Sequence, residues 1–116
     1  MHKLLISSFI LMLTFKAAAQ DEKIQKIEIK TSAICEMCQF AIEKEMAFEK
    51  GVKSASLDLD TKLLTVMYND KKTSSELIRK RVALTGYHAD DIPRDSAAYT
   101  NLPKCCQDGA HENDEN

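Results

Sequence analysis

Tryptophan is absent from this chain, and three tyrosines and four phenylalanines are all its aromatic residues. So little bulky apolar material supports a modest core and leaves little to wall a deep pocket for an organic ligand. The three glycines are scattered and form no phosphate-cradling loop, and no paired carboxylates or cysteine–histidine pair stand in a catalytic context. Basic charge is short as well. The 16 Lys and Arg face 18 Asp and Glu, so the chain has no cationic face for a phosphate backbone, and nucleic acid is excluded as a partner. Long hydrophobic runs are also missing. The one candidate, Leu4 to Phe15, is far below the ~20 residues that span a bilayer, so no membrane span is expected.

That short run fits a different use. His2 and Lys3 precede it, and Ala17-Ala18-Ala19 follow as small residues suited to a signal peptidase. Residues 1–19 read as a cleaved secretory signal, with Gln20 as the new N-terminus and no cysteine there to carry a lipid anchor. The expected product is a soluble, monomeric, periplasmic protein. Without Lys3 and Lys16 its formal charge is −4.

The rest of the chain alternates between two periodicities. Lys23–Thr31 has the two-residue alternation of a strand, carried by Ile27 and Ile29. From Cys38 to Lys50 the spacing becomes helical, with Cys38, Ala41, Ile42, Met46 and Phe48 on one side and Gly51 as the stop. Val52–Asp60 alternates again through Ala55, Leu57 and Leu59, and Asp60-Thr61-Lys62 makes a turn. Leu64, Val66 and Tyr68 line a third strand. Thr73 or Ser74 caps a second helix, with Glu76 at capping-box distance from Thr73. Leu77, Ile78, Val82 and Leu84 are its apolar side, and Gly86 ends it. Tyr87 to Asp90 has room for a short fourth strand. The order β-α-β-β-α-β predicts an α+β, ferredoxin-like sandwich: a four-stranded antiparallel sheet with both helices on one face, over residues 20–91. Residues 92–116, with Pro93, Pro103, Gly109 and an acidic end, read as a partly ordered tail.

What chemistry the chain carries rests on four cysteines, Cys35, Cys38, Cys105 and Cys106. An even count in an exported protein invites disulfides. Cys105 and Cys106, however, are adjacent, and their Cα atoms stand about 3.8 Å apart, below the usual span of a bridge. Cys35-Glu36-Met37-Cys38 lies between the first strand and the first helix. Unpaired N–H groups and the helix dipole favour the thiolate form there. Thiolates hold soft ions such as Cu(I), and Zn(II) as well. Two of them leave an ion accessible for exchange, whereas structural zinc is enclosed by four ligands. The same pair could cycle a disulfide. Against this, no Trp or Pro accompanies the motif, it lies close to the mature N-terminus, and the element order is not that of thioredoxin.

Residues 23–91 resemble the heavy-metal-associated domain of copper chaperones, metal-transporting ATPases and the periplasmic mercuric-ion binding protein. The matching stretches are Cys35-Glu36-Met37-Cys38, Ile42-Glu43, Gly51-Val52, Val66 with Tyr68, and Gly86-Tyr87. The resemblance implies a non-enzymatic carrier. Cys35 and Cys38 would be its metal ligands, Cu(I) its foremost cargo, and a metal-transporting ATPase or another metal-binding protein its partner in thiol exchange. Hg(II), Zn(II) and Cd(II) are the other ions such thiols serve. The alternative function is a periplasmic thiol–disulfide oxidoreductase working through the same pair. A third reading keeps the fold as an interaction module without metal.

The resemblance has departures. The family commonly has Gly-Met-Thr before the first cysteine, where this chain has Ser32-Ala33-Ile34. Met37 is read as a loop side chain, as filler for the missing methionine's space, or as a weak thioether ligand. Tyr87 matches a position beside the metal loop and also suits core packing. His88 reads as a surface residue, and Phe40 as an exposed aromatic opposite the apolar side of its helix. Glu43, Glu45 and Glu49 make the first helix acidic, while Lys71, Lys72, Arg79, Lys80 and Arg81 make the second helix's side basic. Most such charges are solvated faces; any that steer a partner make docking salt-dependent. Cys105 and Cys106 leave two readings open. They are either an uncommitted thiol pair on a tail, or additional ligands brought over the metal loop by a tail packed through Ala97, Ala98, Tyr99 and Leu102, with His111 a weaker candidate.

Overall fold

The computed structural model describes residues 23–107. The proposed signal peptide and His111 lie outside the described residues. Three strands, β1 (Ile24–Lys30), β2 (Val52–Asp58) and β3 (Leu63–Asn69), form an antiparallel sheet in the order β1-β3-β2. Helices α1 (Glu36–Phe48) and α2 (Ser75–Leu84) cover one face of it. Ile29, Leu57, Leu64 and Val66 from the sheet meet Cys38, Ile42 and Met46 from α1 and Ile78 and Val82 from α2 in one buried cluster. Leu64 and Val66 alternate along β3, and in each helix the buried residues recur every four, so pleat and helical turn together account for the core.

Two local devices set the frame. β2 is a sheet edge, and α1 supplies side chains to it. Gln39 Nε2 donates to the Leu57 carbonyl at 2.9 Å, and the Leu57 N–H donates to Glu43 Oε1 at 2.9 Å. Glu43 is therefore a docking group and not merely part of a solvated acidic face. At the end of α1, Gly51 adopts φ +86°, and a Cβ there would stand 2.8 Å from Thr73 Cγ2. Glycine serves both the left-handed turn and the close approach.

The expected fourth strand is not formed. Ala89 makes only isolated bridges, to Thr31 and to Ile92. The reason lies at Asp90, whose φ of 52° turns the backbone out of strand geometry. Its N–H still donates to the Lys30 carbonyl at 2.8 Å, but its own Oδ1 takes the Lys30 N–H, also at 2.8 Å. The side chain thus takes the place of the next rung of the ladder. Two other expectations also need correction. Phe48, Leu77 and Leu84 are exposed, Phe48 to 82%, although the spacing put them on the apolar sides. Of the two capping candidates Ser74 is the one that caps α2, its Oγ accepting from the Leu77 N–H at 3.2 Å. β2 ends at Asp58, whose Oδ1 accepts from the Asp60 N–H and starts the turn early.

Beyond the sheet the chain continues into a short tail packed on the domain. Asp95 caps a short helix, α3 (Ser96–Thr100), accepting from the Ala98 N–H. A single 3-10 turn follows at Lys104–Cys106. The Asp95 N–H donates to the Ala83 carbonyl at 2.9 Å, which ties the tail to the end of α2. Among the described residues no helix is long and apolar enough to cross a membrane.

Candidate metal centre

The centre is built where β1 gives way to α1. Thr31 and Ala33 are buried, and the Thr31 N–H and Oγ1 both donate to the Lys62 carbonyl, which pins the chain before the loop. Cys35 is the N-cap of α1 with extended backbone, and its carbonyl accepts from the Gln39 N–H. Cys38 lies in the first turn and is fully buried. One turn of helix therefore brings the two thiols onto one side, Sγ to Sγ 3.1 Å.

The tail reaches the same point. Cys106 is only 3% exposed, and its Sγ is 3.4 Å from that of Cys35. Cys105 is half-buried, 3.9 Å from Cys106 and 3.4 Å from Met37 Sδ. The sulfurs of Cys35, Cys105 and Cys106 all lie within 4.8 Å of one another. None of the four cysteines is in a disulfide. Met37 is 54% exposed, so it does not fill the space beneath the loop but lies outside, against Cys105. Ala33 and Tyr87 are buried in the core cluster that includes Cys38 and Cys106.

Tyr87 closes the floor. Its hydroxyl is buried and makes no hydrogen bond of good geometry. Burial, and after it the neighbouring thiols of Cys106 and Cys38, push its pKa far up, so the phenol stays neutral. Burial likewise pushes the Cys106 thiol up, reinforced by Cys38 and opposed by Tyr87. A neutral, half-apolar floor under clustered sulfur favours a soft, polarisable guest over a hard cation that needs oxygen ligands.

Other singled-out residues lie apart. His88 is on the surface, with Nδ1 accepting from the Arg94 N–H at 3.2 Å. Phe40 is exposed and has Lys44 Nζ 6.0 Å from its ring centroid. Arg81 of α2 pairs with Glu49, the C-cap residue of α1, Nε to Oε2 at 2.6 Å, which raises the Arg81 pKa. The strap that carries the second cysteine pair was only partly legible in the sequence. Its apolar residues were visible, but the Asp95 cap and the Arg94 guanidinium 3.5 Å over the Tyr99 ring are products of the fold.

The copper chaperone CopZ of Staphylococcus epidermidis is 36% identical over 66 residues, which is 57% of this chain and 93% of that protein. Oxidized MerP from Ralstonia metallidurans shares the fold, with a TM-score of 0.56 at 23% identity, over 59% of this chain and 96% of that one. The water-soluble region of the P-type ATPase CopA from Bacillus subtilis superposes with a TM-score of 0.55 at 28% identity, over 59% of this chain and 46% of that one. The pattern described as "Heavy-metal-associated domain" matches residues 31–88, from the pinned Thr31 through the thiol loop to the residue after Tyr87, and the chain belongs to that family.

Proposed function

We propose that this protein is a non-enzymatic carrier of a soft metal ion, foremost Cu(I), held by Cys35 and Cys38 and passed on by thiol exchange. The observation that carries the reading is the pair of sulfurs 3.1 Å apart at the start of α1, one half-buried and one fully buried. One ligand is thus reachable from solvent and one is anchored. One incoming thiolate binds the ion as the bond to Cys35 breaks, a second replaces Cys38 in the same way, and the ion moves over without ever being free. The kinship with CopZ supports copper as cargo, and the likeness to the CopA soluble region supports a metal-transporting ATPase or a similar domain as partner. We further propose that the protein acts as a monomer in the periplasm after removal of residues 1–19; the basic, apolar and small-residue sequence of that segment supports export.

The test is a Cu(I) titration of the reduced protein against a chromophoric chelator. One equivalent should bind tightly, and the Cys35→Ser/Cys38→Ser protein should lose more than about 100-fold in affinity, beyond the 10–100-fold typical of groups that only support a ligand. Equal affinity in the two proteins would refute the carrier. Rapid catalytic reduction of insulin by the protein would instead favour a thiol–disulfide oxidoreductase.

A further inference from the structure

Two features of the tail stand apart from a plain two-cysteine carrier. The first is that the strap is held by contacts that involve no sulfur. Gly86 packs so closely on α3 that a Cβ there would stand 3.1 Å from Ala98 C and Tyr99 N. Leu102 packs against the core, and Gln107 Nε2 donates to the carbonyls of Leu102 and Thr100. The Cys106 N–H donates to the Pro103 carbonyl at 2.8 Å and fixes the 3-10 turn. Cys106 is thus positioned before any ion arrives, and the entropy of ordering it is already spent on folding.

The second feature is the spacing. Taking a metal–thiolate bond as about 2.3 Å, as at zinc, a linear ion holds its two sulfurs about 4.6 Å apart and a trigonal ion about 4.0 Å apart. Cys35 and Cys38, at 3.1 Å, and Cys35 and Cys106, at 3.4 Å, are closer than either span, so the sulfurs must spread to take an ion, and they spread less for a trigonal ion than for a linear one. Cys106 and Cys38 are both buried in the core cluster that also holds Tyr87. The other three-sulfur set, Cys35 with Cys105 and Cys106, lies further out, because Cys105 is half-buried and turned towards the exposed Met37.

We propose that Cys106 is the third thiolate of the site, so that the ion sits among Cys35, Cys38 and Cys106 while Cys105 stands on the solvent rim. The proposal rests on the carrier reading above. Its consequence is that the tail converts an open two-sulfur loop into a closed three-sulfur cup. Exchange with a partner then requires either attack past the Cys105 rim or lifting of the strap. That geometry suits retention of the ion more than rapid handover.

The deciding experiment is X-ray absorption at the copper edge on the reduced full-length protein loaded with one equivalent of Cu(I), with a chelator competition in parallel. Three sulfurs around copper are expected in the wild type, in Cys105→Ser and in Met37→Leu. Two sulfurs and an affinity lower by about 10-fold or more are expected in Cys106→Ser. Two sulfurs in the wild type would overturn the proposal without any variant, so poor folding of Cys106→Ser leaves it falsifiable. A drop to two sulfurs in Cys105→Ser or Met37→Leu would overturn it in favour of the outer set. Failure of the carrier reading looks different: the wild type then binds no Cu(I), or binds it equally well without Cys35 and Cys38.

Discussion

Cys35 Sγ lies 3.4 Å from Cys106 Sγ, although 71 positions of sequence separate the two residues. One of them is the N-cap residue of α1, and the other lies in the 3-10 turn at Lys104–Cys106. The contact decides which residues have to be tested, because it makes stability of the strap and behaviour of the metal site parts of one question.

Tyr87→Phe should leave stability of the metal-free protein unchanged or raise it by up to about 1 kcal/mol. The hydroxyl is buried without a proper hydrogen bond, and an unsatisfied buried polar group costs about 1–3 kcal/mol. Urea denaturation of the reduced protein measures this. A loss of more than about 1 kcal/mol would mean that the phenol's contacts with the Cys38 and Cys106 thiols outweigh its desolvation.

Gly86→Ala should destabilise by more than about 1 kcal/mol and dislodge the strap. A φ of +105° disfavours any side chain, and the new Cβ would press on the backbone of α3. Amide exchange at Ala98 and Tyr99 should speed up more than exchange in β3. Equal protection in wild type and variant would contradict the contact.

Ile42→Ala should cost about 2–5 kcal/mol, the range for emptying a packed aliphatic site. Ile42 is fully buried one turn beyond Cys38, so metal affinity should fall less steeply than stability at a temperature where both proteins remain folded. Paired thermal melts and Cu(I) titrations separate the two effects.

Arg81→Ala should cost less than about 1 kcal/mol, and the loss should shrink in high salt. Its ion pair with Glu49 joins α1 to α2 at 2.6 Å, but the Arg81 side chain is nearly half exposed. Melting temperatures at low and high ionic strength would show it. A salt-independent loss would point to packing by the arginine stem instead.

Sheet and helix periodicity made most of the fold legible. Ile27 and Ile29, Leu64 and Val66, and Ile78 and Val82 each carry their pattern within one element, and local spacing is enough to place them. Phe48, Leu77 and Leu84 misled because an apolar residue at the edge of a helical stripe is buried only if a neighbour covers it, and nothing in the local sequence says where that cover stops. The fourth strand failed for a similar reason. Tyr87 and Ala89 are buried as a strand's residues would be, but Asp90 takes the Lys30 N–H with its own carboxylate and turns the chain away.

By itself the sequence determined the pair Cys35 and Cys38 at a strand-to-helix junction, since three residues of spacing and one turn of helix suffice to bring two thiols together. It left Cys105 and Cys106 undecided, because closing a loop of that length depends on every contact along the way. Tertiary structure alone placed Cys106 beside Cys35 and left Cys105 on the rim. The physical reason is the strap: the Asp95 tie to Ala83, the close seat of α3 on Gly86 and the packing of Leu102 fix its path, and none of these is written in the spacing of the cysteines.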